Sequence, residues 1–139
     1  MEQIDFMKEA YGELYKIEIS LRILIHEVMT EEYGPGWLIK APVSMGYRPY
    51  QKPLSSFYYH ELISLLSSYP CLKQIFREDC ILLLRNTISI RNNIAHCKSI
   101  QNDEFKKLVC ALKEIKEITN VKNRSFSVNS EELLKIMSK

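Results

Sequence analysis

Apolar residues at positions 14, 17, 21, 24, 25 and 28 recur at spacings of three and four. That period predicts one long amphipathic helix from Ile4 to about Glu32. Its acidic first turn suits the helix dipole. The run stops at Tyr33-Gly34-Pro35-Gly36, where glycine permits positive φ and proline blocks continuation. Residues 34–56 hold four of the five prolines, three of the four glycines and the only tryptophan, Trp37. They read as a long ordered loop, either functional or pinned by its aromatics.

Helical spacing resumes near Ser56 and runs to Ser68, with Ser55 or Ser56 as N-cap and Pro70 as the break. A short helix over Cys71–Phe76 is expected next. Glu78 to about His96 then forms a strongly apolar helix through Ile81, Leu84, Ile88 and Ala95, dense enough to be a central, buried element. Asn102 or Asp103 caps a further helix reaching about Ile118. Residues 119–129 are polar and loop-like, and Glu131–Met137 forms a short terminal helix. No internal repeat and no sustained two-residue alternation appears. The fold class is therefore all-α: about five helices in a single domain over 1–139, with a core at about 3–118 and a C-terminal extension over 119–139.

A chain of 139 residues buries roughly 68% of its unfolded surface, enough to fold without metal or disulfide. Hydrophobic residues make up 46%, which excludes low-complexity disorder, and no apolar run approaches the roughly 20 residues of a membrane span. The first nine residues carry three acids and no apolar h-region, so no secretory leader is expected. Cys71, Cys80, Cys97 and Cys110 show no CxxC spacing. They read as buried structural thiols, reduced in a cytoplasmic setting. Net charge is only +2, but residues 70–139 carry thirteen Lys and Arg against eight Asp and Glu. That half either attracts a polyanion or simply presents solvated helix faces.

The chemistry-bearing segment is Ser89-Ile90-Arg91-Asn92-Asn93-Ile94-Ala95-His96. It sets Arg91, Asn92, Asn93 and His96 at the end of the most apolar helix. Burying an unpaired arginine there costs several kcal/mol, and asparagines compete with the helix for backbone hydrogen bonds. Local rules failing together mark a functional site. Arg91 and His96 are five apart, about 140° around a straight helix. Either the helix ends or bends near His96, or these groups converge with those of a second copy about a two-fold axis.

The hexapeptide Arg91-Asn92-Asn93-Ile94-Ala95-His96 resembles the R-x4-H signature of the HEPN superfamily in its Arg-Asn form. The long first helix with Glu18 and Arg22, and the motif's place late in an all-α chain, extend the resemblance over about residues 10–118. Tyr33-Gly34-Pro35-Gly36-Trp37 and the Glu18/Arg22 spacing are most similar to the Swt1-like branch. The resemblance implies a helical bundle that pairs as a homodimer with a composite site. It also implies a metal-independent endoribonuclease with no cofactor, leaving 2′,3′-cyclic phosphate ends. His96 would move protons, since imidazole ordinarily titrates near neutrality. Arg91 would hold the phosphate and Asn92 would orient it or the histidine. Arg22, Arg85 and Lys98 are the RNA contacts this reading names. A toxin–antitoxin or antiviral-defence setting follows from the superfamily, with an antitoxin or regulatory protein as partner. HEPN toxins that continue His-x-Tyr are controlled through that tyrosine. Lys98 stands at that position here, which puts such control in doubt.

Each of these features has a plainer reading. The motif also fits a non-catalytic HEPN module that binds RNA, a nucleotide or a partner protein. Glu18 and Arg22 also fit an ordinary surface pair. His26 and His60 read as isolated structural or solvated histidines. Tyr47-Arg48-Pro49-Tyr50-Gln51-Lys52 and Phe57-Tyr58-Tyr59 interleave aromatics with cations, which suits base stacking or loop packing equally.

Overall fold

The computed structural model describes residues 2–137, with side chains over 2–123. It is all-α: α1 (Gln3–Tyr33), α2 (Trp37–Ser44), a 3-10 turn (Leu54–Ser56), α3 (Tyr59–Ser68), α4 (Pro70–Asn86), α5 (Ile88–Ala95) and α6 (Asn102–Met137). The periodic residues of α1 do what their spacing demands: Leu14, Ile17, Leu21, Leu24, Ile25 and Val28 are all buried. Gly34, at φ 91°, ends the helix by donating its N–H to the Thr30 carbonyl at 2.8 Å. α6 runs beside α1 and is pinned at two levels. The Phe105 ring packs 5.3 Å from Phe6, and Lys122 Nζ lies 2.6 Å from Glu31 and 3.6 Å from Glu27.

Five sequence expectations are corrected. The 34–56 segment is not all loop, because Trp37–Ser44 is helical with Pro42 inside it. Proline removes the N–H that would meet the Leu38 carbonyl, and the Tyr50 N–H takes that acceptor instead at 3.3 Å. The Tyr50 hydroxyl also bonds Tyr69 at 2.6 Å, tying the segment to the junction of α3 and α4. Second, α3 starts at Tyr59 rather than near Ser56, and Glu61 closes its first turn by accepting the Tyr58 N–H at 2.9 Å. Glu61 also meets Lys52 at 2.6 Å, and that ammonium holds its carboxyl below the usual carboxylate range. Third, α6 begins after Gln101, whose N–H is taken by Glu104 at 2.9 Å, and it continues through residues 119–129 without a loop. Fourth, Cys97 and Cys110 are exposed, while Cys71 is half-buried and Cys80 buried. Burial, joined by Glu114, pushes the Cys80 thiol up to about 12.

The helix from Glu78 to His96 is also broken, at Thr87. The break expected between Phe76 and Glu78 survives as a kink inside α4, where Arg77 sits at φ 58°, ψ 154°. That region is almost exclusive to glycine and costs an arginine about 1–3 kcal/mol. Arg77 is exposed, so little packing opposes its removal. Arg77→Gly should therefore raise stability by about 1 kcal/mol in thermal melts. A lower midpoint would show that the arginine side chain contributes more than its backbone costs.

Candidate functional site

The site grows from the break between α4 and α5. Thr87 is fully buried between Leu84 and Ile90. Its hydroxyl donates to the Leu84 carbonyl at 2.5 Å. A threonine has one hydroxyl proton, so the Tyr59 hydroxyl, 2.6 Å away, must donate to Thr87 Oγ1. The chain Tyr59 to Thr87 to Leu84 thus locks α3 onto the α4–α5 corner. Burial pushes the Tyr59 phenol up to about 12, against the pull of the Thr87 bond, while Glu18 raises it and Arg91 lowers it. Glu18 on α1 and Arg91 on α5 therefore act on one hydroxyl from two helices.

Thr87→Val keeps the shape of the side chain and removes the acceptor. The Tyr59 hydroxyl would then be buried without a partner. The expected loss is about 1–3 kcal/mol, read as a lower urea midpoint. Adding Tyr59→Phe should recover part of that loss. A single variant as stable as the parent would show that this chain of hydrogen bonds contributes nothing.

Arg91 is half-buried, and among the described residues its guanidinium makes no hydrogen bond or ion pair. The buried side-chain polar atom left without a partner there is Thr30 Oγ1, so the Arg91 nitrogens open to solvent. Asn92 is exposed and Asn93 half-buried. α5 ends at Ala95, and His96 caps it at φ −94°, ψ 14°. Of the two arrangements the 140° separation allowed, the helix does end at the histidine.

The turn beyond His96 is a Schellman motif. The Lys98 N–H meets the Asn93 carbonyl at 2.8 Å, and the Cys97 N–H meets Ile94 at 3.1 Å. Cys97 occupies the left-handed position, at φ 57°, that glycine usually fills. This geometry leaves the His96 ring exposed at the end of α5, followed by exposed Lys98.

The remaining named residues are spread around this corner. Arg22 is occupied by main-chain oxygens: Nε donates to Leu54 at 3.3 Å and Nη2 to Phe57 at 3.2 Å. Its Glu18 partner lies 3.6 Å away. Arg22 thus anchors the segment entering α3, next to Tyr59. Arg85 donates to Ser67 Oγ at 2.6 Å on the exposed side of α4. His26 is not isolated, since Trp37 Nε1 donates to its Nδ1 at 3.3 Å. His60 stacks on Tyr58 at 6.0 Å, and the Lys52 ammonium sits 4.5 Å over the same Tyr58 ring.

The Tyr59–Thr87 pair was missed in the sequence, where Tyr59 read only as part of an aromatic stretch; it is buried and bonds Thr87. A polar residue on the apolar stripe between Leu84 and Ile90 was the signal that could have found Thr87. A cleft of about 660 Å³ lies elsewhere, between the α4 kink, α6 and the end of α1, and includes Phe76, Arg77, Cys80 and Glu114. Among the described residues, no three His, Cys, Asp or Glu side chains gather so as to hold a metal ion, and no helix is long and apolar enough to cross a membrane. No protein-family model matches the chain, and no curated protein or solved structure does.

Proposed function

We propose that the chain is a metal-independent endoribonuclease of the HEPN kind, acting as a homodimer. The observation that carries this reading is Arg91. It is a half-buried guanidinium with solvent-open nitrogens and, among the described residues, no protein acceptor, five residues before an exposed histidine. An arginine held that way is suited to a phosphate, whose oxygens match its fork of donors.

RNA cleavage needs no external nucleophile, because the 2′-hydroxyl already lies beside the scissile phosphate. The 2′-oxygen attacks phosphorus, the P–O5′ bond breaks, and a 2′,3′-cyclic phosphate and a 5′-hydroxyl result. One proton leaves the 2′-hydroxyl and one reaches the departing 5′-oxygen. His96 supplies or accepts these protons, and in a dimer the two copies of His96 divide the roles. Arg91 stabilises charge growing on the phosphoryl oxygens, and Asn92 orients the phosphate or the imidazole. Lys98 holds neighbouring backbone, with Arg85 further along α4. Arg22 borders the site and fixes the approach of α3. A toxin or defence effector, restrained by an antitoxin or regulatory protein, is the setting the resemblance implies.

The test is incubation of mixed single-stranded RNA with the protein in EDTA. Cleavage leaving cyclic phosphate ends supports the reading. Cleavage that requires Mg²⁺ overturns the mechanism. Binding without cleavage moves the protein to a recognition module of the same fold. Sedimentation should show a dimer at micromolar concentration, and a monomer with and without RNA would contradict the composite site.

A further inference from the structure

Tyr11, Tyr15, Glu18 and Arg22 recur at spacings of four, three and four, so they share one face of α1. The two tyrosine rings lie 6.4 Å apart and 19° from parallel. They are 59% and 56% exposed. Helix formation does not account for them, because aromatics are weaker helix formers than the lysines and glutamates around them. Nor does the core use them.

Their place relative to α5 gives them meaning. α5 packs against α1. Arg22 holds the Phe57 carbonyl, and Tyr59, two residues on, bonds Thr87 at the start of α5, so α5 begins near the Arg22 turn of α1. Beyond α5 the chain reaches the start of α1, where Phe105 meets Phe6 at 5.3 Å. α5 thus climbs α1 in the opposite direction, from the level of Arg22 toward that of Phe6. His96 lies nine residues past Thr87, about 13 Å further along. That brings it to the stretch of α1 that carries Tyr11 and Tyr15.

We propose that the Tyr11–Tyr15 pair is a base-stacking platform that receives single-stranded RNA beside Arg91 and His96. The inference rests on the ribonuclease reading above. Every base has a π face, so such a platform tolerates any sequence. The surrounding charge suits a polyanion: Lys8 and Lys98 are exposed, and the carboxylate on this face, Glu18, lies against Arg22 at 3.6 Å. Tyr58 is less available, because its ring already stacks on His60 and carries Lys52. A second copy of the chain is the rival occupant of the same face, since Ile4, seven residues before Tyr11, is also exposed there.

The test compares the wild type with Tyr11→Ala/Tyr15→Ala and Tyr11→Phe/Tyr15→Phe. Fluorescence anisotropy with a short 2′-O-methyl oligouridylate, which cannot be cleaved, reads affinity, and light scattering reads oligomeric state. The alanine pair should bind roughly ten- to a hundredfold more weakly. The phenylalanine pair should bind like the wild type, and all three should keep one oligomeric state. Wild-type affinity in the alanine pair, with wild-type cleavage intact, overturns the platform and leaves the ribonuclease reading standing. A wild type that neither binds nor cleaves RNA overturns both. Loss of self-association in the alanine pair assigns the face to a second copy and overturns the platform. If the alanine pair fails to fold, crosslinking of 4-thiouridine RNA to the wild type decides. Crosslinks at Tyr11 or Tyr15 are expected, and crosslinks confined to other residues overturn the proposal.

Discussion

His96→Ala should lower RNA cleavage by about 10²–10⁴-fold while leaving the fold intact, because a positioned proton-transfer group contributes on that scale. The imidazole is exposed, so its removal opens no cavity and strands no buried partner. Its backbone belongs to the cap of α5, where alanine can adopt the observed φ −94°, ψ 14°. RNA affinity should change little, since proton transfer matters most in the transition state. Arg91→Ala should behave differently. On the proposed mechanism it removes a phosphate ligand as well as transition-state charge stabilisation, so cleavage should fall by about 10²–10³-fold and affinity should fall with it. Arg91→Lys should restore charge without the planar fork and recover only part of the rate. Cleavage by His96→Ala at the wild-type rate would remove the histidine from the mechanism. Circular dichroism of each variant separates lost chemistry from lost structure.

Trp37→Ala should be the most destabilising single change in the chain's first half. The ring is 1% exposed, and emptying a site of that size costs about 3–5 kcal/mol. A domain of this length has roughly 5–15 kcal/mol in total, so about a fifth or more of its stability is at stake. The reason lies in α2 itself. Eight residues containing a proline cannot hold a helix alone, so burial of Trp37 and Ala41 must hold it. With α2 released, the Tyr50 N–H loses the Leu38 acceptor, and the Tyr50–Tyr69 bond loses its support. Trp37→Phe should be much milder. It keeps most of the apolar contact and gives up the hydrogen bond to His26, at about 1 kcal/mol. Urea titration of both variants checks the order. A Trp37→Ala protein as stable as the Phe variant would mean that α2 does not depend on its tryptophan.

These two residues also show what could be read from the sequence. α1 was legible end to end, because a single strong period and one glycine at positive φ decide it locally. The motif's place at a helix end was legible for the same reason, since Asn92, Asn93 and His96 all weaken a helix there. α2 was not. Pro42 reads as a breaker, and the hydrogen bond that compensates it comes from Tyr50, which only tertiary folding brings to Leu38. Arg22 read as a cation for RNA or as half of a surface pair with Glu18. Its two carbonyl partners lie 32 and 35 residues away, beyond any local rule. The cysteines read as uniformly buried because they sit in helical context. Cys97 instead occupies a turn, and Cys110 lies on an exposed face of α6. The polar run 119–129 lacks an apolar stripe strong enough to predict the helix that α6 continues through it.

The central claim is that Arg91 and His96 cut RNA by moving protons and holding a phosphate, without a metal ion. The most direct measurement is cleavage of mixed single-stranded RNA in EDTA by wild type and His96→Ala side by side, with the chemistry of the new ends identified. The account predicts 2′,3′-cyclic phosphate and 5′-hydroxyl ends made by the wild type and almost none by the variant. Equal cleavage by both proteins, or 5′-phosphate ends from the wild type, would contradict it.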